Sequence, residues 1–152
     1  MKTYLIFLGS VCLLLSLGAN ANDSSKRKLQ IGIKKRVEKC KVKSKKGDTL
    51  YVHYVGTLED GTEIDSSYIY GEPLPVTLGY RQVIKGWEQG LMGMCEGEKR
   101  KLVIPPDLAY GTPGALPKVP PDATVIFIIE LIKLVPKEEL EEVDDVVIRD
   151  EL

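Results

Sequence analysis

The chain has 152 residues, of which 43% are hydrophobic and 28% charged, and its formal net charge is −1. That length holds one domain with short tails, large enough to bury a core, and the apolar content is ordinary for a globular protein. A charge this close to neutral excludes a global electrostatic pull toward nucleic acid or an anionic membrane.

Met1 and Lys2 precede an apolar run from Leu5 to Leu17, and Gly18-Ala19-Asn20-Ala21 follows. A basic start, an apolar stretch and an A-x-A site predict a secretory signal peptide over residues 1–21. A membrane anchor is the alternative, but the run falls short of the roughly 20 apolar residues a span needs. No membrane span is therefore expected in the mature chain. Residues 22–29 are polar and expected to be flexible. Asn22-Asp23-Ser24 matches the glycosylation sequon, although Asn22 would be the first mature residue. Lys26 to Lys46 is dense in Lys and Arg, and Glu138 to Glu151 in Asp and Glu. The basic stretch lacks interleaved aromatics, so it reads as a solvated margin and no nucleic-acid partner is expected.

The first strand signal is Leu50 to Val55, rich in β-branched and aromatic residues. Glu59-Asp60-Gly61-Thr62 is a turn, and Glu63 to Ser66 starts the return strand. Pro73 to Leu78 is extended, its prolines suiting an edge or a bulge. Ile84 to Leu91 is the one helical segment, with Ile84, Trp87 and Leu91 on one face. Lys99 to Ile104 is a strand stopped by Pro105-Pro106. Thr124 to Leu134 is the longest β-rich run and sets Val125, Phe127, Ile129 and Leu131 on one face. The pattern predicts an α+β fold, a twisted antiparallel β-sheet of about five strands wrapped on one short α-helix. The domain is expected over residues 30–136, with an acidic tail over 137–152. No long hydrophobic surface run asks for obligate assembly, so a monomer is expected.

The chain finishes in Arg149-Asp150-Glu151-Leu152, which differs from the KDEL retrieval signal only by Arg for Lys. With a signal peptide at the opposite end, this predicts residence in the lumen of the endoplasmic reticulum and a KDEL-type retrieval receptor as partner. Secretion without retention is the alternative. Cys12 leaves with the signal peptide. Cys40 and Cys95 remain, and an oxidising compartment favours a disulfide over two free buried thiols. Two cysteines and the lone His53 do not make a zinc site, and the acidic tail has no EF-hand spacing. His53 is one residue from Tyr54, so alternation puts it on the other face as a structural or exposed group. A nucleophile elbow, a phosphate loop and a base–nucleophile couple are all absent, and no cofactor is expected.

Several ordered motifs across the centre carry a resemblance. They are Val52-His53-Tyr54-Val55-Gly56, Leu58-Glu59-Asp60-Gly61-Thr62, Asp65-Ser66-Ser67, Val83-Ile84-Lys85-Gly86-Trp87, Leu108-Ala109-Tyr110-Gly111 and Pro120-Pro121-Asp122-Ala123-Thr124, with Phe127 and Glu130-Leu131. Over about a hundred residues the chain resembles the FKBP-type peptidyl-prolyl cis-trans isomerases. Gly93 to Lys101 is most similar to the family's branch in the endoplasmic reticulum, which also implies the Cys40–Cys95 bond. The resemblance implies a pocket for a proline ring, with Trp87, Asp65 and Tyr110 as its catalytic groups. Trp87 would form the floor, Tyr110 would offer its hydroxyl to a carbonyl, and Asp65 would supply a carboxylate beside it. Tyr54, Val83, Ile84 and Phe127 would line the pocket, and Val119 would overhang it. The main-chain N–H of Ile84 would anchor a bound carbonyl.

The chain departs from the family where Ile64, Leu74 and Val76 replace aromatics in the pocket wall. Tyr70 stands where a basic residue often faces the carboxylate, so an ion pair to Asp65 is not expected. The implied function is acceleration of folding of proline-containing client polypeptides, with tacrolimus- or rapamycin-type macrolides as further ligands. The alternative is a weakly active peptide-binding chaperone module using the same pocket, a reading the thinner wall favours.

Overall fold

A computed structural model of the chain describes residues 28–140. The expected signal peptide, residues 22–27 with the Asn22 sequon, and the tail from Glu141 through the retention sequence lie outside those residues. Among the described residues there are six strands: β1 (Gln30–Lys35), β2 (Thr49–Leu58), β3 (Glu63–Ser66), β4 (Leu74–Thr77), β5 (Lys99–Ile104) and β6 (Val125–Val135). Helix α1 spans Lys85–Gly90. The strands make one antiparallel sheet in the order β1-β5-β6-β2-β3, and β4 pairs with the first half of β2 while β3 pairs with its second half.

Alternation along the three central strands builds the core. Leu50, Val52 and Tyr54 of β2, Leu102 and Ile104 of β5, and Val125, Phe127, Ile129 and Leu131 of β6 are all buried. Successive side chains of a strand point to opposite faces, so these nine residues share one face of the sheet. Helix α1 covers that face with Trp87 and the following Leu91. The β2–β6 register shifts at Tyr51/Val52, where Tyr51 pairs with Lys133 and Val52 with Leu131. Ile132 is the extra residue of this bulge and is 42% exposed, so the buried stripe of β6 stops at Leu131.

The sheet has six strands where the sequence suggested about five. The additional one is β1, hidden in the basic margin. Its alternation is confined to Leu29, Ile31 and Ile33 before a run of basic residues; all six residues of the strand are exposed, and main-chain pairing to β5 holds it in place. The start of the expected tail is also part of the fold. Lys137–Leu140 make a helical turn. The Lys137 N–H donates to Asp48 Oδ1 at 3.1 Å, and Glu138 pairs with Lys45 at 2.8 Å.

Cys40 and Cys95 are bonded, with Cα atoms 5.7 Å apart, joining the segment before β2 to the turn before β5. Among the described residues, no helix is long and apolar enough to cross a membrane, and no three His, Cys, Asp or Glu side chains are grouped to hold a metal.

Candidate functional site

The buried face of the sheet ends in an open cleft of about 420 Å³, lined by Tyr54, Asp65, Leu74, Gln82, Val83, Ile84, Trp87, Tyr110 and Phe127. This lies within the range of small-ligand sites, and its make-up of apolar walls with a few polar groups is typical of them.

Three rings make the floor. Trp87 meets Tyr54 at 5.1 Å and 79°, and Phe127 at 5.1 Å and 88°, while Tyr54 and Phe127 lie 6.0 Å apart at 59°. Edge-on packing sets the positive edge of one ring against the negative face of another, which fixes ring orientation beyond what burial does. The fold supplies each ring from a different element: β2, β6 and α1. Gly56, paired with Phe127 across β2 and β6, makes room for the Phe127 ring, since a Cβ there would sit 2.5 Å from Phe127 Cε1. Trp87 is 3% exposed, and its indole N–H is the one fully buried side-chain polar atom without a partner among the described residues. Such an orphan donor lowers stability by about 1–3 kcal/mol and marks a place where packing is not optimised for stability alone.

Asp65 places its carboxylate at the rim. Tyr54 Oη donates to Asp65 Oδ2 at 2.7 Å, and the Ser66 N–H donates to Asp65 Oδ1 at 2.9 Å. No ion pair to Asp65 occurs among the described residues. Burial, then the hydrogen bond to Asp65, pushes the Tyr54 phenol far above the ordinary range of 10. Burial and the Asp65 charge also push the Tyr110 phenol up. Both hydroxyls thus stay protonated donors. The Tyr54 strand is pinned from behind by Ser67. Its Oγ accepts from the Tyr54 N–H at 2.8 Å and is 2.9 Å from His53 Nδ1, and the His53 ring stacks on Tyr68 at 4.5 Å. His53 therefore supports the site from the opposite face, half-buried.

Helix α1 sets the far wall. Ile84 is its N-cap, and the Ile84 carbonyl accepts from the N–H groups of Trp87 and Glu88. Beyond the helix, the turn after β5 carries Tyr110, and the segment that follows folds back through paired main-chain bonds between Ala115 and Val119, both 2.9 Å.

Of the residues expected at the site, Tyr54, Asp65, Leu74, Val83, Ile84, Trp87, Tyr110 and Phe127 converge on the cleft. Ile64 and Val119 line an adjoining hollow with Asp65, Tyr70, Tyr110 and Leu116. Val76 lines neither; it pairs with Leu50 and is 1% exposed in the core. Gln82 lines the cleft and was missed, although its place directly before Val83-Ile84 is a usable signal. Its Oε1 accepts from the Thr77 N–H at 2.9 Å, closing the loop between β4 and α1. A separate hollow of about 280 Å³ beside the disulfide, lined by Val37, Lys39, Lys41, Glu96 and Glu139 among others, has no converging rings.

Residues 40–132 match the family model for FKBP-type peptidyl-prolyl cis-trans isomerases. The chain is 58% identical over 132 residues to human "Peptidyl-prolyl cis-trans isomerase FKBP2", covering 86% of this chain and 92% of that one. It is 55% identical over 138 residues to the Mus musculus protein of the same name, covering 91% and 98%. Among solved structures, the fold is similar to that described as "Crystal structure of AtFKBP13", with a TM-score of 0.63 and 40% identity over 69% of this chain and 91% of that one.

Proposed function

We infer function from one premise: the chain belongs to the FKBP-type peptidyl-prolyl cis-trans isomerase family. It is an enzyme of that type, and we propose that it speeds the folding of proline-containing polypeptides in the lumen of the endoplasmic reticulum. The observation that carries the assignment of the site is the three-ring floor beside a held carboxylate.

Rotation about an X–Pro bond faces a barrier of about 18–20 kcal/mol, because resonance gives the C–N bond double-bond character. Twisting breaks that resonance and leaves a less polar amide. A dry seat of rings, with Val83, Ile84 and Leu74 as walls, therefore favours the twisted state over the planar one. In this reading the proline ring rests on Trp87. The Tyr110 hydroxyl and the Ile84 N–H hold the flanking carbonyls. The Tyr54–Asp65 bond keeps the rim rigid, so that rotation is confined to the prolyl bond. No bond is made or broken, so no nucleophile takes part. Macrolides of the tacrolimus or rapamycin type would occupy the same cleft.

The compartment is supported by the signal-peptide pattern at residues 1–21 and by Arg149-Asp150-Glu151-Leu152. A KDEL-type receptor would return the protein, and deleting those four residues should release it into the medium. The activity is tested by isomerisation of a proline-containing tetrapeptide, with Trp87→Ala expected to lower kcat/KM at least tenfold. Rotation no faster than the uncatalysed rate, with peptide binding retained, would make the cleft a peptide-holding chaperone module instead.

A further inference from the structure

Strand β5 touches the helix that carries the cleft floor at three successive points. Arg100, Leu102 and Ile104 lie two apart on β5 and share its buried face. Gly86 of α1 lies against Ile104 and Gly90 against Leu102, with no room for a Cβ at either position. The third point falls just past the helix and is a guanidinium. Arg100 Nη1 donates to the carbonyls of Gly90 at 2.7 Å and Met92 at 2.8 Å, and Nη2 donates to Gly93 at 2.9 Å. Its Nε donates to Glu98 Oε1 at 2.7 Å, and Glu98 Oε2 accepts from the Cys95 N–H at 3.1 Å. Ser44 Oγ takes the remaining carbonyl of this stretch, that of Leu91, at 2.6 Å.

We propose that Arg100, oriented by Glu98, is a positioning residue that sets where α1 lies along β5, and through α1 the placement of Trp87, Val83 and Ile84 in the cleft. The proposal rests on the reading of that cleft as the proline site. A helix of six residues has too few internal hydrogen bonds to hold itself, so its placement is decided by what it is fixed to. The two glycine contacts fix how close α1 comes to the sheet, but smooth apolar contact leaves sliding along the strand weakly resisted. Three directional bonds to fixed carbonyls resist it. The planar fork of Arg, with five donors, reaches three carbonyls while its Nε stays on Glu98; the single ammonium of Lys cannot. Stability alone gives no reason for the pair. Arg100 is 7% exposed and Glu98 4%, and a buried ion pair is commonly matched or bettered by an apolar pair of similar volume.

The test uses Arg100→Lys and the double variant Glu98→Gln with Arg100→Met, which removes both charges together so that neither is left buried without its counter-charge. Trp87 is the sole tryptophan of the chain, so intrinsic fluorescence reports the cleft floor. Measurements are made at low temperature, where denaturation curves show each variant fully folded. The double variant should lose about tenfold in kcat/KM on a tetrapeptide, with a shifted Trp87 emission and easier acrylamide quenching, whatever its midpoint of unfolding. Arg100→Lys should fall between it and the parent. Parent-like kcat/KM and parent-like Trp87 emission in the folded double variant would overturn the proposal, even if its stability drops, because a purely structural pair would behave that way. If the double variant does not fold, parent-like values for Arg100→Lys overturn it. If the parent itself lacks isomerase activity, the site reading fails, and Trp87 emission and quenching still decide the placement of α1.

Discussion

Leu74 and Val76 are two residues apart on β4, and only the first reaches the cleft. Leu74 is 38% exposed at the strand end beside the opening, whereas Val76 sits beside its register partner Leu50 of β2 and is 1% exposed. The two should respond in opposite ways to an added ring. Leu74→Phe has open space to fill and should raise macrolide affinity about two- to tenfold, as a new aromatic contact does. Val76→Phe would overfill a packed core and should lower stability by about 1–3 kcal/mol in a denaturant titration, with no gain in binding. The phenols of the site give a second residue-scale expectation. Tyr54 and Tyr110 are both shifted above the ordinary phenol value of 10, first by burial and then by Asp65. A raised phenol favours the protonated fold, so its contribution is full below pH of about 10 and is lost only as pH rises through the higher folded value. Rate profiles for kcat/KM should show no phenol limb between about pH 7 and 10. A limb in that window that disappears in Tyr54→Phe or Tyr110→Phe would contradict the assignment.

At the scale of elements, Asp48 ties the start of β2 to the finish of β6, at one end of the central strand pair. Its side chain is fully buried just before β2 and accepts from the N–H groups of Lys45 at 2.9 Å and Lys137 at 3.1 Å. Asp48→Ala strands two amides and should lower unfolding free energy by about 3 kcal/mol, with an unchanged denaturant slope. Nothing in the sequence singles out this aspartate, because its partners are main-chain groups about ninety positions apart. Strands β5 and β6 and helix α1, by contrast, were legible almost to the residue. Each has one apolar face and a Pro or Gly stop, and that is the signal a sequence carries. Strand β1 offers only the short alternation of Ile31 and Ile33 around Gly32, with basic residues beyond and both faces exposed. The site divides in the same way. The rings and the carboxylate were reached through the family resemblance, since by themselves they read as core residues and a turn. The inward turn of Val76 and the reach of Gln82 depend on strand twist and loop closure, which appear only once the strands are paired.

At the scale of the whole molecule, a covalent link reinforces two stretches of chain that main-chain bonds around Ser44 and Met94 already join. The Cys40–Cys95 bond spans 55 residues, and chain-entropy reasoning assigns such a loop about 4 kcal/mol of stabilisation. Reduced protein, or the double Cys40→Ser, Cys95→Ser variant, should unfold at a correspondingly lower denaturant concentration. An unchanged midpoint would mean that the unfolded chain is already compact across this loop. The sheet order has a further consequence, for synthesis rather than stability. Strand β6 is the last of the described strands to be made, yet it lies between β5 and β2 in the middle of the sheet. Until it emerges from the ribosome, β2 and β5 cannot be bridged, and Trp87 and Tyr54 have no Phe127 to close the floor. The pairs β1–β5, β2–β3 and β2–β4 need no β6, but the two groups join into one sheet only when β6 docks between them. A protein proposed to hasten the folding of others would thus gain its own proline seat only when this last described strand docks.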